Sequence, residues 1–269
     1  MVLRIELEQF LKETFQYDHF QDYCQNGLQI EGKDSIKKIV FGVSFNLLLL
    51  EKAIEQQADA IIVHHGFFGK NFFSMKGVLK EKIKLLLHHD ISLFGIHLPM
   101  DAHEQYGNNA RLFSYLGAEI CEPYDVGFIG LNIRDYPLGQ MLDIFHQKLH
   151  AEDYQASPAQ QQVTSALIPK QQHGFLYFDN GPAIPETIAI ISGGSSKTYR
   201  SEEFFEKGVD TFICGSIDEA IPAVSYETKT NFVNIGHYWS EKAGPLALQA
   251  EIARLFDVET SFVEIENTI

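Results

Sequence analysis

The sequence has few cysteines, no long apolar run and fewer basic than acidic residues. Its three cysteines, Cys24, Cys121 and Cys214, lie far apart and form no C-x-x-C pair. This spacing offers no disulfide framework and favours a reducing compartment. No run approaches the ~20 apolar residues that span a bilayer. The first residues, "MVLRIELEQFLKETF", lack the uninterrupted apolar segment of a signal peptide. We therefore expect a cytoplasmic protein with no membrane partner.

The charge balance limits the classes of partner. The chain has 21 Lys and Arg against 36 Asp and Glu, a formal net charge of −15. Such a deficit of basic residues argues against general binding of a phosphate backbone, so we do not expect a nucleic-acid partner. The surplus carboxylates are compatible with a cation site. With 269 residues, 45% of them hydrophobic, the chain can bury the core of one large or two modest domains.

Several common catalytic motifs are also missing. The glycine turn "IISGGSS", residues 190–196, lacks the Lys-Ser/Thr of a P-loop and the full Rossmann glycine spacing. We interpret it as a tight turn, with an anion site as the weaker alternative. No G-x-S-x-G elbow is present, which removes support for Ser-His-Asp hydrolysis.

Alternating helical and strand-like segments predict an α/β fold. Strand-like "KKIVFGVSF", "DAIIVHH" and "ISLFGIHLP" are separated by helical "NLLLLEKAIEQQ" and "KGVLKEKIKLLLHHD", the pattern of βαβ units. We interpret "DYCQNGLQIEGKDS" as a loop. From residue 126 to 185 the pattern changes and includes a polar stretch, "AEDYQASPAQQQ". We predict a discontinuous core domain, residues 1–125 and 186–269, with a mixed, largely parallel sheet. Residues 126–185 would form a smaller inserted α+β subdomain.

Four places put ligand-type side chains at the carboxyl ends of predicted strands. In open α/β sheets, ligands bind at that edge. The grouping is the argument, because a lone histidine after a strand is more often a satisfied core or surface residue. We assign His88, His89, His146, His150 and His173 to that plainer interpretation. For His103, in the same loop as Asp101, a surface position is favoured over a role in supporting the site. For Asn26 and Gln29, a turn is favoured over a position lining the site. The four places are His64-His65, His97 with Asp101, Cys214 to Glu219, and His237 with Glu241.

The residue types at these places suit divalent metals. Imidazole and carboxylate together favour Zn, Mn, Fe or Ni. Adjacent strand residues point to opposite faces, so His64 and His65 could share one ion only if the chain turns at Gly66. The simpler arrangement is one histidine for each of two neighbouring ions. Asp101 and Glu241 could bridge the ions, and His237 lies four residues before Glu241, a spacing that shares a face if the segment is helical. Two adjacent metals are a hydrolase arrangement, with a metal-bound water as nucleophile.

Four ordered motifs resemble one family. "NGLQIEG", "IIVHHGFF", "HLPMDAH…GNNARL" and "NIGHYWSEKAGPLAL" are similar to the GTP cyclohydrolase 1 type 2 homologues, also called Ngg-interacting-factor-three-like proteins. The resemblance implies two α/β parts, two divalent metal ions per chain and a homohexamer built as a trimer of dimers. It also implies that His97 lies near the site. The metal ligands it implies are His64, His65, Asp101, His237 and Glu241.

The chain departs from this family at one place. Relatives often have T-G-[DE] followed by histidines, where this sequence has Cys214 to Ala220. The change bears on the cyclohydrolase activity rather than on the metal centre. We predict a metal-dependent hydrolase acting on a small, nucleotide-like substrate, resembling GTP cyclohydrolase type 2. The alternative is a non-catalytic, metal-containing interaction or regulatory protein.

Overall fold

The computed structural model describes residues 1–67, 74–150, 166–265 and 267. The chain divides into two compact units. The first unit comprises Met1–Gly107 together with Gly244–Asn267, and the second comprises Asn108–Ala243. The first unit is therefore assembled from both ends of the chain.

Helices and strands alternate along most of the described chain. The strands are β1 (Val2–Leu3), β2 (Gly27–Ile30), β3 (Ser35–Ile36), β4 (Lys38–Ser44), β5 (Ala60–His65), β6 (Ser92–Gly95), β7 (Glu119–Tyr124), β8 (Gly127–Leu131), β9 (Lys170–Gln172), β10 (Phe175–Asp179), β11 (Thr187–Ile191), β12 (Thr211–Cys214), β13 (Asn231–Asn234) and β14 (Glu259–Phe262). The helices are α1 (Arg4–Phe15), α2 (Leu47–Glu55), α3 (Gly77–His89), α4 (Leu98–Ala102), α5 (Asn108–Leu116), α6 (Leu138–Leu149), α7 (Glu202–Glu206), α8 (Ile221–Thr228), α9 (His237–Ser240) and α10 (Ala243–Leu255).

The sheet of the first unit is largely parallel, in the order β14-β4-β5-β6-β2. Strands β14, β4, β5 and β6 run parallel to their neighbours, and β2 pairs antiparallel with β6. Alternate residues of each strand pack on opposite faces, as the pleat requires. Phe41 and Ile62 pack with α1 and α10 on one face, whereas Val40 and Ile61 pack with α2 on the other. Helices therefore cover both faces of this sheet.

The sheet of the second unit is mixed, in the order β7-β8-β11-β12-β13-β10-β9. Its centre, β11-β12-β13, is parallel, and its outer strands pair antiparallel. Four fully buried aromatic rings, from the central strands β12 and β13, from α7 and from the turn before α7, pack together: Tyr199, Phe204, Phe212 and Phe232. Burying each such ring stabilises the fold by about 1.5–3 kcal/mol.

Both units contain the same local arrangement of three parallel strands, although we detect no internal sequence repeat. In each, an aspartate precedes the second strand and ties the first strand to the third. Asp59 donates its N–H to Lys38 and accepts from the N–H of Ser92, at 2.9 and 3.0 Å. Asp210 makes the matching bonds to Thr187 and Asn231, at 3.1 and 2.8 Å. In both units an imidazole and a carboxylate follow the third strand.

The side chain of Asp59 anchors the start of β4. Its carboxylate accepts from Lys33 Nζ at 2.7 Å and from the N–H groups of Lys37 and Lys38 at 2.8 and 3.1 Å. Burial raises the pKa of Asp59, but these hydrogen bonds outweigh it and hold the pKa below the ordinary value of 3.8. Because the folded pKa is depressed, the carboxylate stabilises the fold above pH ~4 and loses that effect as pH falls through the folded pKa.

We expect Asp59→Asn to lower the free energy of unfolding by about 1–3 kcal/mol at neutral pH, since hydrogen bonds to a buried charged group are lost. Urea unfolding at pH 7 and pH 3 measures the effect, and the variant should lose less stability between these pH values than the wild type. Glu227→Gln, at an exposed carboxylate, serves as the control. Equal losses on acidification in the wild type and Asp59→Asn would contradict the assignment.

The predicted α/β class with a mixed, largely parallel sheet is confirmed, most directly in the first unit. One local prediction was wrong: Gly27–Ile30, interpreted as part of a loop, is the edge strand β2. This strand is paired on one side only and has few apolar residues, so its sequence lacks the apolar pattern that predicts a buried strand. The predicted polar loop at 151–162 lies outside the described residues. Among the described residues, no helix has both the length and the apolar character needed to cross a membrane.

The division into units differs from the predicted domain boundaries at 125 and 186. Strands β8 and β10 lie inside the segment predicted as an insertion, yet they pair with β11 and β13. The segment therefore extends a shared sheet rather than enclosing its own core. The change in sequence pattern marks the transition from parallel to antiparallel strands.

Candidate metal centre

The last two residues of β5 bring two imidazoles together in the first unit. The ring centroids of His64 and His65 are 4.5 Å apart. His64 is fully buried, and its Nδ1 donates to the Ile96 carbonyl at 2.9 Å. Because a carbonyl can only accept, the Nδ1 proton leaves Nε2 as the basic nitrogen in the neutral ring. His65 Nδ1 is hydrogen-bonded to Ser44 Oγ at 2.9 Å. Nδ1 anchors of this kind are typical of metal-ligating histidines.

A third imidazole, His97, follows β6 and joins this pair. One ring nitrogen from each of His64, His65 and His97 lies within 4.8 Å of the others. His97 Nδ1 faces both carboxylate oxygens of Asp22, at 2.9 and 3.1 Å. Burial opposes ionisation of Asp22, but hydrogen bonds from His97, Cys24 and Asn26 outweigh it and lower its pKa. The ionised carboxylate fixes the His97 proton on Nδ1 and orients Nε2.

A buried carboxylate faces His64 in the same unit. Asp101 lies on the short helix α4, is 3% exposed, and its Oδ2 is 3.5 Å from His64 Nε2. A basic nitrogen and a carboxylate oxygen at this separation repel each other unless a proton or a cation lies between them. A divalent cation would satisfy both atoms.

The side chain of Gln29 fixes the chain directly after the histidine pair. Its Oε1 accepts from Phe67 N–H at 2.7 Å, and its Nε2 donates to the Phe67 carbonyl at 3.1 Å. The amide also fills the space beside Gly66 and Gly95, where a Cβ would collide with it. The sequence interpretation assigned Gln29 to a plain turn. This role depends on contacts with Gly66, Phe67 and Gly95, which are distant in the sequence, so no sequence signal indicated it.

Gln29→Ala removes both bonds to Phe67, so we expect a loss of about 1–3 kcal/mol in the free energy of unfolding. The weakened turn should also lower the affinity of the protein for divalent metal. Urea unfolding and competitive titration with a chelator measure the two effects. Gln25→Ala is the matched control, because Gln25 contacts Gln29 only through its backbone carbonyl. A Gln29→Ala protein with wild-type stability and metal affinity would refute the role.

The second unit presents an imidazole and a carboxylate at the end of β13. His237 opens helix α9, and Glu241 follows that helix. His237 Nε2 lies 3.1 Å from Glu241 Oε1, and the glutamate side chain is 4% exposed. The predicted i,i+4 proximity is therefore present. Ser240 Oγ donates to the His237 carbonyl and accepts from Gly193 N–H, each at 2.9 Å, so one buried hydroxyl joins this helix to the glycine turn.

The glycine turn packs directly against the His237–Glu241 pair. Gly193 has φ +64°, and a Cβ there would lie 3.1 Å from His237 Nε2 and closer still to Glu241 Oε1. The turn after β11 therefore needs glycine for its backbone conformation and for the close approach of a carboxylate. From the sequence, "IISGGSS" indicated a tight turn with no link to the site.

In the segment from Cys214 to Glu219, the side chains of Cys214 and Asp218 are engaged in other contacts. Burial raises the pKa of the Cys214 thiol to about 12, and Sγ lies 3.1 Å from the Ser216 carbonyl. Asp218 pairs with Arg200 at 3.2 Å and accepts a hydrogen bond from Ser196 Oγ.

His103 makes contacts within its own loop. Its Nδ1 accepts hydrogen bonds from the backbone N–H groups of Gln105 and Tyr106, at 3.1 and 3.0 Å, in agreement with the plainer interpretation of that residue.

These groups define an α/β protein with buried imidazoles and carboxylates that could bind metal ions. Their donor set of nitrogen and oxygen atoms fits divalent Zn, Mn, Fe or Ni. A profile of the family described as Duf34/NIF3 (NGG1p interacting factor 3) matches residues 2–268. The chain belongs to this family, which confirms the resemblance drawn from the four motifs.

Individual relatives agree with this assignment. The chain is 34% identical over 264 residues to a GTP cyclohydrolase 1 type 2 homolog of Pasteurella multocida, covering 98% of each protein. It is 33% identical over 266 residues to the protein of the same name from Escherichia coli, covering 97% of this chain and 98% of the relative. The solved structure of protein ybgI, whose function is described as unknown, superposes with a TM-score of 0.84 at 30% identity over the full length of both chains.

Proposed function

We propose that the protein is a metal-dependent hydrolase of a small, nucleotide-like molecule. Two divalent ions would be held by His64, His65, Asp101, His237 and Glu241. The observation that carries the proposal is the 3.5 Å distance between His64 Nε2 and Asp101 Oδ2, which both belong to buried side chains. A cation between these two atoms would bind both. Divalent ions, when bound, supply Lewis-acid polarisation and lower the pKa of a coordinated water.

The surrounding residues would position these ligands. Asp22 holds the His97 proton on Nδ1, which leaves Nε2 as the basic nitrogen. One ring nitrogen of His97 lies within 4.8 Å of a ring nitrogen of His64 and of His65. Asn26 Oδ1 accepts from the His97 N–H at 2.7 Å, and Asn26 Nδ2 donates to Asp22 at 3.0 Å. The "NGLQIEG" segment thus supports His97 through Asn26 and the histidine turn through Gln29.

A turnover screen of the metal-loaded protein tests the hydrolase. The substrates should include GTP, other nucleotides and phosphoesters, with product detection by mass spectrometry. We expect hydrolysis of at least one substrate by the wild type and none by Asp101→Asn. If every substrate fails while Asp101→Ala destabilises the fold, the metal centre serves structure or sensing.

That second outcome would favour a non-catalytic interaction protein. The family description names an interacting factor, and a net charge of −15 would suit a basic partner. A catalytic centre keeps an exchangeable ligand position, whereas a structural centre is closed by protein ligands. Binding of a small anion such as azide to the cobalt-loaded protein, followed by its visible spectrum, separates these two types of centre.

We also propose that the chain assembles as a homohexamer, a trimer of dimers. Light scattering coupled to size-exclusion chromatography should then give about six times the chain mass of 30.5 kDa. A mass equal to one chain would contradict the assembly.

A further inference from the structure

The second unit contains a cavity of about 270 Å³ at the carboxyl ends of β12 and β13. Residues 215–217 and 234–237 form the wall at the strand ends. The hairpin segment 173–176, His150 and Trp239 complete the lining. His237, one of the proposed metal ligands, therefore lines the cavity. In α/β sheets this edge is the usual place for a ligand.

The cavity wall carries no fixed charge. Among the described residues that line it, none is Lys, Arg, Asp or Glu. Burial, followed by repulsion from His146 and Lys242, lowers the pKa of His150 to about 3, so that imidazole is neutral. Away from an ion held at His237, a phosphate or carboxylate enclosed here would be desolvated without a compensating cation, which is costly. The enclosed part of a ligand is therefore uncharged.

Flat rings and short polar groups shape the wall. His173 stacks on His146 with centroids 4.3 Å apart and planes 7° from parallel, and its Nε2 is held by Asp143 at 2.6 Å. His150 packs edge-on against Trp239, with centroids 4.2 Å apart. Ser216 contributes a hydroxyl. Planar walls with a few hydrogen-bonding groups are typical of pockets for ring-shaped ligands.

We propose that this cavity is the recognition pocket of the protein and takes an uncharged planar heterocycle of one or two fused rings. This inference rests on the proposed function, because it places the ring beside His237. Drug-sized ligands occupy pockets of roughly 300–1,000 Å³, so a cavity of about 270 Å³ encloses one ring system and leaves charged substituents outside.

Calorimetric titration of the zinc-loaded full-length protein tests the proposal with uracil, hypoxanthine and inorganic phosphate as probes. We expect at least one heterocycle to bind once per chain. Ile217→Trp, which places an indole in the cavity from a position 36% exposed, should weaken this binding at least about tenfold. Ile133→Trp, at a position 54% exposed and outside the cavity, is the matched control and should bind like the wild type. Phosphate binding should be the same in both variants.

A second variant guards against misfolding of the first. His173 has φ +54°, a conformation that asparagine tolerates well, so His173→Asn removes a wall ring while keeping the turn. It too should weaken heterocycle binding. The proposal is overturned if neither heterocycle binds, if both cavity variants bind like the wild type, or if Ile217→Trp abolishes phosphate binding. Metal content and turnover are measured separately, so loss of the pocket is distinguishable from failure of the metal centre.

Discussion

Asp101→Asn and Glu241→Gln are each expected to reduce bound metal from two divalent ions per chain to fewer than one. The amides preserve shape but remove a negative charge that favours binding of a divalent ion. Asp101 and Glu241 are each 3% exposed, so solvent cannot compensate for the lost charge. Removing one ligand also leaves the remaining imidazoles without their counter-charge, and therefore weakens the neighbouring ion.

Elemental analysis of protein purified without added metal measures this loss. Asp34→Asn, whose side chain is 88% exposed, is the control and should keep the full metal content. Thermal unfolding with and without chelator provides a second readout, because an ion that binds only the folded state stabilises it by mass action. A wild-type protein with less than one ion per chain, unchanged by either amide, would end the metal hypothesis.

Gly193→Ala is expected to combine a loss of stability with a loss of metal. A non-glycine residue in the left-handed region costs about 1–2 kcal/mol, and φ at this position is +64°. The new methyl group would also collide with Glu241 Oε1, a buried carboxylate that cannot move into solvent. We therefore expect a total loss of about 2–4 kcal/mol and a marked fall in metal affinity.

Gly208→Ala separates these two effects. Gly208 has φ +67°, and no heavy atom lies within 4 Å of the position its Cβ would take. This control carries the backbone cost alone, so its free energy of unfolding should fall by about 1–2 kcal/mol with no change in metal affinity. If the two alanine variants behave alike in both unfolding and metal titration, the close approach of Gly193 to Glu241 has no role in the site.

Hydrophobic periodicity predicted most of the fold correctly because long, repeated patterns report burial on both faces of a sheet. The run Ala60–Val63 is one example, since strict alternation sends Ile61 and Ile62 into different cores. Short edge strands such as β2 escaped prediction because one-sided pairing needs few apolar residues. The predicted boundary near residue 126 differs from the observed division after Gly107 for a related reason. The composition of a segment indicates which type of strand it forms, whereas hydrogen bonding determines which sheet that strand joins.

The candidate site follows the same division. Chain order alone placed His64, His65, Asp101, His237 and Glu241 at strand ends, and their assignment as one set of ligands remains a prediction. The supporting residues were not predictable, because their roles depend on contacts between distant segments. Gln29 reaches Phe67 across 38 positions, and His173 meets Asp143 across 30.

By itself the sequence determined the α/β class, the family and the residue types that could bind metal, because these depend on periodicity, motif order and chemical identity. Only the tertiary structure decided which side chains orient those groups. It set the Nδ1 tautomer of His64 through Ile96, placed Gly193 against Glu241, and gathered His146, His150 and His173 around a cavity wall. The reason is that these hydrogen bonds and close contacts form between segments that folding brings together. A local sequence pattern does not specify which distant residue will make the contact.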